Sequence, residues 1–375
     1  MFFLSTGSSI RYVKTGVILS ALMIALCFLS LSAESESFRA RKATKNEISF
    51  RPYPQEGYFQ AWNYSFTDDR IFIFATFLVS NLGPGTRNSG VSLVLYDKEN
   101  GTRFLTQEFS RNELKAEPGA SELEIANNSV QKSQEGPEIR MEIGETKLFL
   151  SFKTGWDKAV SLSGGKIALP EKDRFVQADI AFSFVPAWGY LISNGQKIPL
   201  DGRGGMEHLL TNYEVYKYSR RWELFRTQNL SGDRLYTGGF IGNETFPGQE
   251  IRTVSSTDAN GRLLFSAKVH KSEILESEKD SFSNYELPTK EILYLDEQGG
   301  CTLSIRRKAG IGKINVLSNL SSVLRFFVRL FFAKPYQLYF LAEAELNCDS
   351  PSKNFGQLPK ENRFAGIFSY YLINP

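Results

Sequence analysis

Apolar and polar residues alternate with a period of two along most of this chain, from residue 58 to its end. That period marks half-buried strands. Its longest example, 175–185 (FVQADIAFSFV), sets Val176, Ala178, Ile180, Phe182 and Phe184 on one face. The pattern predicts strands over 58–66, 71–80, 91–96, 104–109, 139–143, 148–152 and 175–185, with a short one near Leu123. It predicts others over 190–193, 196–200, 206–210, 221–227, 235–241, 251–255, 263–269, 291–294, 302–306, 336–346 and 364–373. Asp97-Lys98-Glu99-Asn100-Gly101 and Asn194-Gly195 are hairpin signals, and Asp201-Gly202-Arg203-Gly204-Gly205 reads as a second, looser turn. Short strands at regular spacing, roughly eight in each half, imply an all-β protein of sandwich or barrel domains. No short internal repeat points to a propeller or solenoid.

Two segments break the pattern. Residues 317–332 (LSNLSSVLRFFVRLFF) read as one short amphipathic helix, with Arg325 and Arg329 on one face and Leu324, Phe327, Val328, Phe331 and Phe332 over most of the rest. Such a helix either packs across a barrel with its arginines exposed, or lies at an interface where it meets lipid or guards a ligand entrance. At the N-terminus, Arg11 and Lys14 precede an uncharged apolar run, 17–31, followed by small residues up to Ala33. This is the layout of an export signal, or of an uncleaved anchor, and it places the protein in the periplasm or cell envelope. The polar stretch 34–52 reads as a flexible lead-in.

A chain of 375 residues is long for one core, so two domains are expected, over 53–187 and 188–375. Beyond residue 33, basic and acidic side chains nearly balance, which argues against a nucleic-acid partner. Aromatics reach 13%, with 30 Phe, which suits either a β-rich core or a cavity for an apolar ligand. Cys301 and Cys348 remain after the leader and are able to pair in an oxidising compartment. No Cys/His cluster has metal-ligand spacing, and neither a metal nor another cofactor is expected.

The chemistry concentrates in 188–226. It holds His208, one of only two histidines and the side chain most apt to change charge near neutral pH. On a strand, Met206, His208 and Leu210 point one way, and Glu207 and Leu209 the other. Adjacent Glu207 and His208 therefore form no simple dyad, and Glu207 is expected to brace the turn.

Val185-Pro186 and Trp188, a hairpin, a glycine-rich turn, Glu207-His208 and then Arg221-Trp222 resemble the lipocalin-like AttH family, which includes the hydroxyneurosporene synthase (carotenoid hydratase) enzymes. The survival-factor proteins look similar. Trp62-Asn63-Tyr64 with Asn81-Leu82-Gly83 resembles the family's first strands. Lys334-Pro335-Tyr336, Ala342-Glu343-Ala344-Glu345 and a last strand with Phe368, Tyr370 and Tyr371 resemble its end. The resemblance spans about residues 55–375 and implies two tandem lipocalin-like antiparallel barrels. It implies ligands of lipid or isoprenoid type. It carries the family's Glu-His pair onto Glu207 and His208, although Leu209-Leu210-Thr211-Asn212 replace the usual aromatic and glycine.

Three functions follow as expectations. One is binding or carrying a lipid or isoprenoid in a pocket lined by Trp188, Met206, His208, Leu210, Tyr213 and Trp222. Another is an isoprenoid hydratase or cyclase with His208 as acid and Glu207 or Glu223 as helpers. The third is a surface interaction protein whose barrels are scaffold. No G-x-S-x-G elbow supports a serine hydrolase.

Overall fold

The computed structural model describes residues 39–81, 87–155, 158–246, 250–316, 335–349 and 356–373. The expected leader and the expected helix over 317–332 lie outside them. Among the described residues the fold is all-β, and α1 (Lys45–Ile48) is its one α-helical turn. No helix among them is long and apolar enough to cross a membrane.

The first sheet is built mainly from β2 (Tyr58–Thr67), β3 (Ile71–Ser80), β4 (Asn88–Asp97), β5 (Gly101–Phe109), β6 (Leu114–Lys115), β7 (Leu123–Ile125), β8 (Asn128–Lys132), β9 (Pro137–Ile143), β10 (Thr146–Phe152), β13 (Phe175–Ser193) and β14 (Gln196–Asn212). Its order is β5-β4-β3-β2-β14-β13-β10-β9-β8-β7-β6, all antiparallel, with β1 (Arg41–Lys42), β11 (Val160–Ser161) and β12 (Ile167–Ala168) attached beside β13. The sheet curls until β4 and β5 lie against β7 and β9, so this barrel is nearly closed.

The second sheet holds β15 (Ser219–Gln228), β16 (Arg234–Gly242), β17 (Glu250–Thr257), β18 (Leu263–Lys268), β19 (Lys271–Lys279), β20 (Glu286–Tyr294), β21 (Cys301–Asn315), β22 (Tyr336–Cys348) and β23 (Arg363–Leu372). Its order, β18-β17-β16-β15-β23-β22-β21-β20-β19, makes a half-barrel. Cys301 and Cys348 sit opposite each other on β21 and β22 and form a disulfide.

Several local expectations change. The segment 201–205 is not a turn: β14 runs straight through it, paired to β13 on one side and, from Arg203 on, to β2 on the other. Its glycines serve close approach. A Cβ on Gly202 would stand 2.4 Å from the Thr67 carbonyl, and one on Gly204 2.5 Å from the Phe152 ring. Because β14 completes the first sheet, the chain changes sheet between Asn212 and Ser219, and the expected break at 187/188 falls inside β13. Register shifts between Ile180 and Phe182 and between Phe182 and Val185, with Phe184 at φ 51°, break the predicted single face of β13. Ile180 faces outward against Tyr236, while Phe182 turns into the first core. The lead-in, read as flexible up to residue 52, packs instead: Ile48 and Phe50 join the first core, and the Trp62 indole N–H donates to the Ile48 carbonyl at 2.9 Å.

The sheets meet through their outer faces. Phe72, Phe74 and Val94 of the first pack on Ile311, Ile314, Tyr339 and Ile367 of the second. The Tyr339 ring lies 5.3 Å from that of Phe72 and 5.5 Å from that of Phe74.

Candidate functional site

Alternation along β14 sends Met206, His208 and Leu210 into the first barrel, where Met206 and Leu210 are core residues and Trp62 lies 5.8 Å from the imidazole. There His208 is 1% exposed. Its Nδ1 is 2.8 Å from Asp179 Oδ2 on β13, and its Nε2 is 2.8 Å from Gln60 Nε2 on β2. Gln60 Oε1 accepts from the Arg51 backbone N–H and the Tyr58 hydroxyl, which fixes the amide. Its Nε2 therefore donates, to the Ser49 carbonyl and to His208. His208 Nε2 is then the acceptor and Nδ1–H the donor to Asp179. Gln177 donates to the same Asp179 oxygen at 2.8 Å and accepts from Arg51 at 3.0 Å. Neither ring nitrogen is free. Tyr64, Phe77, Phe152 and Phe182 fill the neighbouring interior in tilted or edge contact.

The other predicted site residues go elsewhere. Glu207 faces out into the seam between the sheets and is ion-paired, almost fully buried, with Arg226 of β15. Arg226 also donates to Ser369 and stacks over Phe74. Glu223 points into the half-barrel. Burial pushes its carboxyl up, but Arg221 at 2.7 Å and Arg252 at 2.5 Å outweigh that and hold it below its ordinary range. Arg252 also reaches Glu291 at 3.1 Å and Glu250 at 2.5 Å. Burial drives the Glu291 carboxyl up; Arg252 opposes this and Glu223 reinforces it, so it stays raised. Trp222 lies 5.1 Å from Phe240. Tyr213 stacks on Tyr218 in the crossover between the sheets, and burial, then Glu171, raises its phenol. Trp188, half-buried, pairs with Asp201 across β13 and β14. The eight predicted residues thus form no single pocket. Sequence reasoning missed Asp179 and Gln177, whose polar side chains lie opposite the apolar face predicted for 175–185, and Gln60, a polar residue in phase with the buried Tyr58, Trp62 and Tyr64 of β2.

The described residues form a cleft of about 1130 Å³ between the two outer faces. Thr67, Asp68, Asp69, Phe184, Asp201, Gly202 and Arg203 form its first-sheet wall. The opposite wall is a cross-strand row on the outer face of the second sheet: Lys290, Arg306, Glu343, Ala365 and Gln228 stand directly opposite one another on β20, β21, β22, β23 and β15. Ser304, Glu345 and Arg363 form the next row. Leu230, 98% exposed, stands at the rim. Only Asp201, Gly202 and Arg203, among the lining residues, come from the stretch in which the sequence concentrates its chemistry. The cleft is built from outer faces, which sequence alternation alone does not distinguish from solvent. Among the described residues no group of three or more His, Cys, Asp or Glu gathers as a metal site.

No protein-family model matches the sequence, and no curated protein is similar to it. The fold has solved counterparts. The AttH-type protein of Nitrosomonas europaea superposes with a TM-score of 0.55 at 11% identity, over 86% of this chain and 96% of its own. Kievitone hydratase from Nectria haematococca superposes with a TM-score of 0.54 at 12% identity, over 90% and 98%. The chain therefore has the tandem-barrel fold of AttH that the sequence resemblance implied, across nearly the whole length of both proteins.

Proposed function

We propose that this protein binds and carries an apolar small molecule of the lipid or isoprenoid class in the cell envelope, and that the ligand lies in the cleft between the sheets. The observation that carries the reading is the cleft itself: about 1130 Å³, with one wall from each sheet and apolar surface from Phe184, Leu230 and Ala365. Small-molecule sites occupy roughly 300–1,000 Å³ and favour such boundaries between units. An envelope location is supported by the Cys301–Cys348 disulfide, since disulfides persist in oxidising compartments. Sharing a fold with kievitone hydratase keeps a hydration reaction in view. The carrier is preferred because His208 has both ring nitrogens engaged, and the raised carboxyl of Glu291 lies on the inner face, away from the cleft.

The test is extraction of the purified protein followed by mass spectrometry, beside the variant Ala365→Trp. Ala365 is exposed on the cleft wall, so the indole fills the cleft without entering a core. About one equivalent of an apolar molecule from the native protein, and none from a folded Ala365→Trp, is the expected result. No bound molecule, together with equal uptake of a fluorescent fatty acid by both proteins, would rule the reading out.

A further inference from the structure

The cleft is electrically polarised. Its second-sheet wall carries Lys290, Arg306, Lys308 and Arg363 against Glu343 and Glu345, while its first-sheet wall carries Asp68, Asp69 and Asp201 against Arg203. The acidic residues of the second-sheet wall are engaged. Glu343 is 3.0 Å from Lys308, and Glu345 lies 4.0 Å from Arg363. Lys290 and Arg306 have no such partner: among the described residues no carboxylate stands within ion-pair distance of either. They are direct cross-strand neighbours on β20 and β21, and both line the cleft. Like charges opposite one another on a sheet destabilise it. An anion bridging the two relieves that repulsion and gains charge-assisted hydrogen bonds.

Resting on the reading of the cleft as a ligand site, we infer that the ligand is an anionic amphiphile whose carboxylate or phosphate sits against Lys290 and Arg306. The carboxylates of the opposite wall disfavour an anion there. The head group therefore has one orientation, with the chain running along the apolar surface of Phe184 and Ala365. Lys290 is half-buried and Arg306 exposed, so their attraction for an anion weakens once salt shortens the screening length.

Three probes with one chain and different heads test this: oleate, oleyl phosphate and oleyl alcohol, titrated into the full chain, into Lys290→Gln/Arg306→Gln and into Ala365→Trp. The native protein is expected to bind oleate and oleyl phosphate about tenfold more tightly than the alcohol at low salt. The preference should collapse towards one in the double variant, and in the native protein at ~0.5 M salt. Equal affinity for all three heads in the native protein, with no binding to Ala365→Trp, would overturn the anion and leave the cleft standing. A preference that survives Lys290→Gln/Arg306→Gln would overturn it too. If the native protein binds none of the three, or Ala365→Trp binds them all as the native protein does, it is the cleft reading that fails.

Discussion

The interiors of the two barrels both bury polar side chains, and they stabilise them by opposite means. In the first, Asp179 Oδ2 accepts hydrogen bonds from His208 and Gln177 while its Oδ1 is buried without a partner, and backbone groups of the segment 47–51, which crosses that end of the barrel, join the network. In the second, three carboxylates (Glu223, Glu250 and Glu291) converge on Arg252, with Arg221 beside Glu223. A hydrogen-bonded network tolerates no missing member but carries little net charge. A charge cluster depends on its balance, and here one carboxylate is in excess over the two guanidinium groups. Burial, reinforced by Glu223, holds the Glu291 carboxyl raised there. The segment 47–51 thereby supplies the first interior with acceptors at Glu47 and Ser49 and a donor at Arg51.

The largest expected effect breaks the second interior. Arg252→Met leaves Glu223, Glu250 and Glu291 without their common partner and should cost roughly 3–5 kcal/mol in urea unfolding. Adding Glu223→Gln and Glu291→Gln should restore much of it, and a loss under ~1 kcal/mol would show the cluster to be solvated. Next, reducing the Cys301–Cys348 bond should cost about 2–4 kcal/mol, with hydrogen exchange rising in β21 and β22 while the first barrel keeps its protection. Equal loss of protection in both sheets would mean that the two interiors are not separable.

In the first interior, His208→Ala strips a donor from buried Asp179 and should cost about 1–3 kcal/mol, without affecting ligand retention in the cleft. Lost ligand in a folded His208→Ala would return the site to the barrel lumen. The smallest effect is the pH dependence from Glu291. Its folded value lies above its ordinary 4.5, so the folded state holds the proton longer. Its contribution is complete below about 4.5 and fades as pH rises through the folded value, at no more than ~1.4 kcal/mol per pH unit. Glu291→Gln should flatten that slope; an unaltered slope would assign it to another group.

Much of the architecture is legible in residue order. Alternation gives most strands, and Asn194-Gly195 adopts the paired positive φ values, 51° and 75°, of a tight hairpin. Strand β19 escapes because its residues (KSEILESEK) lie at a sheet edge and are largely exposed, so no half-buried pattern is imposed on them. Gly202 and Gly204 escape for a different reason. Glycine signals either a turn or a close approach, and only the neighbours Thr67 and Phe152 decide between them.

By itself, then, the sequence determined the all-β class, the hairpins and the fact that His208 and Glu207 face opposite ways, because each depends on local backbone geometry of period two. Tertiary structure alone decided that His208 meets Asp179 and Gln60, that Glu207 meets Arg226 across the seam, and that Lys290 and Arg306 line a cleft. Those contacts join residues distant in the chain. They depend on the bulge in β13 and on how two outer faces pack, and neither is encoded in any local pattern.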